Sequence, residues 1–149
     1  MTTLDPTTLD GLRPAERERL ERFAALFDRI DAKSYITLTE ATERDGVTEA
    51  QERALEHMGS GRRRDAIRAA ARAFIDAATV AYARRTPMTD ILFMFNSLPD
   101  RAEDRVRFLA SVERAVVALI LWDELDDPDR VALLGPWAPS VIPLIEPEA

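Results

Sequence analysis

Five or six segments of the chain carry apolar residues at helical spacing together with residues that begin or end helices. In the first segment, from Pro14 to about Lys33, the apolar side chains lie three or four residues apart and share one face: Leu20, Phe23, Phe27 and Ile30. No two segments combine strand-like alternation with a hairpin turn. The sequence therefore predicts an all-α fold, a compact bundle of five or six helices.

The length and composition exclude several classes of protein. A chain of 149 residues suits one domain that buries roughly 70% of its unfolded surface, so its core needs no metal or disulfide. The absence of cysteine excludes a disulfide framework, a thiolate zinc site and a thiol nucleophile. The net charge of -7 opposes nucleic acids and anionic lipids at long range. We predict no cofactor and no bound metal.

Two observations predict where the protein works. The first dozen residues lack the positive charge, the apolar run and the cleavage site of a secretory signal. The longest apolar run, Ala115–Trp122, is far shorter than the roughly 20 residues that cross a membrane. We therefore expect a cytoplasmic protein without membrane association. All basic residues except Lys33 are arginine, which is typical of codon usage in a GC-rich bacterial genome.

Two capping boxes frame a turn in the region after the first helix. Thr37–Glu40 and Thr48–Gln51 each place a hydroxyl where it accepts a backbone N–H at a helix start, with a long polar side chain that reaches back. Asp45–Gly46 between them is typical of a tight turn. The pattern predicts a short helix, a turn and a second helix that ends near Gly59.

Residues 37–58, behind the first helix, resemble the three-helix DNA-binding head of bacterial repressors, including the TetR type. The resemblance implies a transcription regulator whose second capped helix lies in the major groove of DNA. That helix carries one arginine, Arg53, against three acidic residues, Glu49, Glu52 and Glu56. Phosphates and base edges call mainly for basic or amide side chains. DNA is therefore kept as an alternative partner that the acidic helix disfavours.

Three consecutive arginines open a long helix that runs to about Arg85. Guanidinium groups bind oxyanions in a bidentate manner, so Arg62, Arg63 and Arg64 are candidate contacts to a phosphate or to an acidic partner. The alternative interpretation is a solvated turn whose arginines pair with nearby carboxylates, namely those of Glu52, Glu56 or Asp65.

The helix that begins at Pro99 is polar at its start and almost wholly apolar at its end. Such a helix either forms the centre of the core or contacts a second copy of the chain. We predict self-association as a homodimer through four of its residues, Phe108, Val112, Leu119 and Trp122.

Prolines at positions 136, 139, 143 and 147 interrupt the end of the chain. Because proline at this density disfavours a helix or a central strand, we predict one helical domain over 1–135 and an extended, proline-rich tail over 136–149. The apolar residues of the tail suit docking into a groove of a partner or packing on its own bundle. The candidate contacts are Trp137, Ile142 and Leu144.

No segment carries a catalytic motif. His57 is the single histidine, and no nucleophile lies beside it at relay spacing. The acidic stretch Asp123–Asp129 fits no calcium loop, and Asp127 followed by Pro128 instead predicts the start of a helix. We predict no catalytic residues.

Three hypotheses about function follow. The leading one is a non-catalytic cytoplasmic module for protein interaction or regulation. The first alternative is a helix-turn-helix transcription regulator that uses residues 37–58. The second is a binder of a small hydrophobic ligand, or an enzyme, with a pocket in the bundle near Phe93, Phe95 and Trp122. No motif names the partner, the ligand or the substrate.

Overall fold

A computed structural model describes residues 3–4, 9–29, 47–85 and 99–146, with the backbone alone at 81–85 and 99–108. Its α-helices are α1 (Pro14–Phe27), α2 (Val47–Met58), α3 (Arg62–Arg85), α4 (Pro99–Ile120), α5 (Asp127–Leu134) and α6 (Ala138–Ile145), and a 3₁₀ turn, Gly135–Trp137, joins the last two. The described part contains no strand, which confirms the all-α prediction. Several predictions lie outside the described residues: those on Thr37–Glu40, Phe93, Phe95 and the side chain of Phe108.

Aromatic rings join three parts of the chain in the core. Phe23 of α1 stacks on Phe74 of α3 with ring centroids 5.0 Å apart, and Trp137 meets Phe23 edge-on at 5.1 Å. Phe27 stacks on Trp137 with ring centroids 6.0 Å apart and meets Phe74 edge-on at 6.3 Å. Aromatic pairs of this kind stabilise a core by about 0.5–1.5 kcal/mol beyond the burial of their area.

The second half of α4 is buried on nearly every side, because α1, α3 and α5 all pack against this helix. Val112, Leu119 and Trp122 are at most 3% exposed. The sequence predicts that these side chains contact a second copy. In the structure they belong to the core of the single chain. Self-association itself stays a prediction.

The acidic stretch after α4 starts a helix, and its cap lies one residue earlier than predicted. Asp126, rather than Asp127, is the N-cap, and its carboxylate accepts a hydrogen bond of 2.9 Å from the N–H of Asp129. Pro128 lies in the first turn of α5, where a backbone N–H has no helical partner and its loss costs nothing.

Residues 138–145 of the predicted extended tail instead form the helix α6, which contains two of the prolines of that segment. Pro139 is in the first turn, where the missing N–H breaks no bond. Pro143 is inside the helix and removes one hydrogen bond, the one to the carbonyl of residue 139. Within α6, proline therefore costs one backbone hydrogen bond. The burial of apolar area by this segment outweighs that cost.

The tail packs on its own bundle, which decides between the two alternatives that the sequence left open. Trp137 and Val141 are buried, and the Trp137 Nε1–H donates a hydrogen bond of 3.1 Å to the buried Ser111 Oγ. Trp137 is therefore an internal anchor rather than a contact to a partner. Ile142 is partly buried and Leu144 is exposed.

Candidate functional site

A groove of about 620 Å³ lies between α2, α3 and α4. Each of these helices lines it with residues at positions i, i+3, i+4 and i+7, which form a stripe two turns long on one helix face. The stripes are Gln51, Ala54, Leu55 and Met58 of α2; Arg68, Ala71, Arg72 and Ile75 of α3; and Ala110, Glu113, Arg114 and Val117 of α4, with Leu133 of α5 beside them. Three faces thus converge on one space.

Small and apolar side chains form most of the wall of the groove. Ala54, Met58 and Ala71 are buried, whereas Leu55 stands at the edge and is 48% exposed. Alanine side chains allow another backbone to approach closely. Leu55 is half exposed to water beside the apolar wall of the groove. A ligand that covered this side chain would stabilise the complex by about 25 cal/mol per Å² of apolar area buried.

Guanidinium groups give the groove a charge opposite to that of the whole chain. Arg68, Arg72 and Arg114 line it together with one carboxylate, that of Glu113, although the chain carries a net charge of -7. Arg72 forms an exposed ion pair with Asp76 at 3.5 Å, a type of contact that stabilises little. In the part of the chain that the structure describes, Arg68 and Arg114 have no ion-pair partner.

Arg114 is the least hydrated of the three arginines. Burial lowers the pKa of its guanidinium, because desolvation disfavours the charged form, and the neighbouring Glu113 carboxylate offsets part of this effect. A cation in such a place is stabilised by a ligand that supplies negative charge and hydrogen-bond acceptors. Arg114 is therefore the most desolvated of the three cations that line the groove.

The arginine run lies outside the groove, and its members have different environments. Arg62 is exposed, whereas the Arg63 guanidinium bonds to the carboxylate of Glu124 and lies 3.5 Å from that of Glu16. Among the described residues, the buried Nε of Arg64 has no hydrogen-bond partner. The run is thus neither a uniform anion site nor paired with the carboxylates expected from the sequence, because Arg63 reaches across to α1 and to the end of α4.

The face of α2 that a DNA-reading helix would present is acidic. Glu49, Glu52 and Glu56 are exposed on it. Arg53 is engaged within the chain, since its Nε and Nη2 donate hydrogen bonds of 2.5 Å to the two carboxylate oxygens of the buried Asp129. The geometry of α2 therefore offers phosphates no free cation from this residue.

From the sequence, only the three separate stripes of lining residues can be recognised, and not the groove that they form together. Each can be found as a repeat of i, i+3, i+4 and i+7 along one helix, but nothing local shows that the three face each other. Trp122 lines a different, smaller cavity of about 300 Å³, while Phe93 and Phe95, the other residues of the pocket that the sequence predicts, lie outside the described residues. Comparisons with family models, with curated proteins and with solved structures find no match to this chain.

Among the described residues, no three His, Cys, Asp or Glu side chains are placed to hold a metal ion. No helix in the described ranges is both long and apolar enough to span a membrane. His57 lies in the last turn of α2, where a positive charge complements the helix dipole.

Acidification is expected to destabilise the protein through Asp123 and Asp129. Hydrogen bonds from Arg19 and Arg53 hold the pKa values of these two carboxyls below their usual range. Since each pKa is lower in the folded than in the unfolded chain, the stabilisation is present at neutral pH and is lost as the pH falls through the folded values. The free energy of unfolding measured in urea should therefore decrease below about pH 5.

A pair of variants tests whether these carboxyls cause the decrease. Asp129→Asn removes the titrating group that Arg53 binds and should flatten the acid limb of the stability profile. Asp127→Asn, at an exposed residue that pairs with Arg130 at 3.0 Å, should leave the limb nearly as steep as in the unmodified chain. Equal slopes in all three proteins would rule out the Arg53 pair as the cause.

Proposed function

We propose that the protein is a non-catalytic interaction module that binds a segment of a partner protein in the groove between α2, α3 and α4. The set of three two-turn stripes around about 620 Å³ carries this proposal. Along α3 the stripe runs from Arg68 to Ile75, about 10.5 Å. Recognition of a helix in a groove uses anchor residues spread over the same two turns.

The surface around the groove favours a protein partner over DNA. The neighbouring outer face of α2 is acidic, and its arginine is engaged by Asp129. Leu55 offers an exposed apolar side chain at the groove edge, and interfaces between proteins place such side chains at their centre. The groove volume also lies within the range of ligand sites in general, about 300–1,000 Å³.

Photo-crosslinking from the groove edge tests this function. A photoreactive phenylalanine in place of Leu55, introduced in cells that naturally make the protein, should give a discrete adduct with another chain. The matched control is the same residue in place of Val131, which is 40% exposed and lies about 200° around α5 from Leu133. The adduct should disappear in an Ala110→Phe background, because the added ring fills the groove.

The outcomes separate clearly. An adduct from position 55 that needs an open groove and is absent from position 131 supports the proposal. Adducts of equal yield from both positions would show unspecific encounter and contradict it. A product that joins position 55 to residues of the same chain would also contradict it, since the groove would then be filled from within.

A further inference from the structure

We propose that the occupant of the groove is an amphipathic helix of a different protein whose polar edge is acidic, seated so that its carboxylates meet Arg68 and Arg114. The inference rests on the proposed function and names the chemistry of the partner. The observations behind it are the shape of the groove, the distribution of charge around it and the environment of Arg114.

The shape of the groove suits a helix better than an extended peptide. The three stripes place their lining residues in the same i, i+3, i+4 and i+7 pattern over two turns, so the faces that remain open have the geometry of a bundle into which one more helix packs. Alanines at 54, 71 and 110 lie on all three walls. They allow the close helix–helix approach, about 8–10 Å between axes, that such packing needs.

The charge around the groove selects an acidic helix. Three guanidinium groups and a single carboxylate line the space, and in the described ranges Arg68 and Arg114 have no ion pair of their own. A helix with glutamates beside its apolar anchors supplies those partners. A lysine-rich helix would instead bring a cation against Arg114, and juxtaposition of like charges excludes wrong partners.

The partial burial of Arg114 favours a direct, specific contact between its guanidinium and a carboxylate of the partner helix, in addition to long-range electrostatic attraction. Water is already partly removed from its guanidinium, so a bidentate carboxylate restores hydrogen bonds to it, and the further desolvation cost falls mainly on the carboxylate. Arg68 lies at an exposed position on the facing helix and contributes attraction that salt screens. The acidic helix is therefore held at one half-buried cation and guided by an exposed one.

Two designed peptides provide a defined probe. Each has about 18 residues, or five turns, with leucines at i, i+3, i+4 and i+7; one carries glutamates and the other lysines beside the leucines. Binding of the fluorescein-labelled peptides to the full chain is followed by anisotropy. We expect the glutamate peptide to bind at least about tenfold more tightly than the lysine peptide, with a difference that shrinks as salt is added.

A charge-reversed groove should exchange this preference. In the double variant Arg68→Glu with Arg114→Glu, the lysine peptide should bind more tightly than the glutamate peptide, which also shows that the groove is still folded. The matched control, Arg29→Glu with Arg62→Glu, changes the net charge equally at exposed residues outside the groove and should keep the original preference. If charge reversal unfolds the chain, Arg68→Gln with Arg114→Gln should equalise the two peptides.

The result distinguishes this inference from the proposed function. Equal binding of both peptides to the unmodified chain, or an exchange of preference in the Arg29 and Arg62 control, would overturn the acidic helix while groove binding stands. A crosslink from position 55 to a second copy of this chain would overturn the different-protein partner in the same way. A groove that crosslinks nothing would overturn the proposed function itself.

Discussion

Replacement of Trp137 by alanine is expected to lower the free energy of unfolding by about 3–5 kcal/mol. The indole is 3% exposed and packs against Phe23 and Phe27 with centroids 5.1 and 6.0 Å away. Its removal leaves a cavity between α1 and α4 and takes away the donor of Ser111 Oγ, which is itself buried. A buried polar atom without a partner adds about 1–3 kcal/mol to the loss.

The measurement is urea denaturation of the full chain followed by circular dichroism. Leu144→Ala, at an exposed residue of the same C-terminal segment, is the matched control and should cost less than about 1 kcal/mol. Deletion of residues 136–149 should destabilise at least as much as the Trp137 change. If Trp137→Ala unfolded at the same urea concentration as the unmodified chain, the segment would not be an anchor of the core.

The C-terminal segment, residues 136–149, has a structure that local sequence preferences do not predict. Proline frequency predicts an extended tail, and each proline does lower helix propensity. The observed helix places Pro139 where no bond is lost and Pro143 where one is lost. What stabilises it is the contact of Trp137 with α1, which no property of residues 136–149 reveals. Burial against the rest of the bundle therefore outweighs the low helix propensity of the prolines.

Apolar periodicity and capping residues predict those helices that are determined by their own segment of the sequence. α1 begins at Pro14 as expected but ends at Phe27, before the predicted end near Lys33, and the long helix runs over Arg62–Arg85 as predicted. Leu20, Phe23 and Phe27 are buried on the predicted face. These outcomes depend on spacing within one segment, which the sequence shows directly.

The groove could not be predicted in the same way, because it is a property of three helices together. The residues of α3 that line it, Arg68 and Arg72 among them, look like the solvated face of any charged helix. The sequence instead drew attention to Arg62–Arg64, where arginine is concentrated but where Arg63 serves an internal ion pair. Charge density along the chain is therefore a poor guide to charge density around a site.

The variant Arg13→Ala with Arg63→Ala is expected to cost about 3–5 kcal/mol, because it strands a buried carboxylate. Glu16 is 1% exposed. Its Oε1 accepts a hydrogen bond of 2.8 Å from the Arg13 Nε and lies 3.5 Å from the Arg63 guanidinium. Both cations also bond to Glu124, so the double change leaves two neighbouring carboxylates without either arginine.

A third substitution shows whether the stranded charge causes the loss. Glu16→Gln in the double variant removes the charge but keeps the shape of the side chain. It also keeps an oxygen that can accept the hydrogen bond from the backbone N–H of residue 13, which Glu16 Oε2 accepts at 3.0 Å in the unmodified chain. It should restore about 1–3 kcal/mol of the lost stability in urea denaturation. Arg29→Ala with Arg62→Ala, at two exposed arginines, should change stability little. If Glu16→Gln left the stability of the double variant unchanged or lowered it, a stranded carboxylate would not be the cause of the loss.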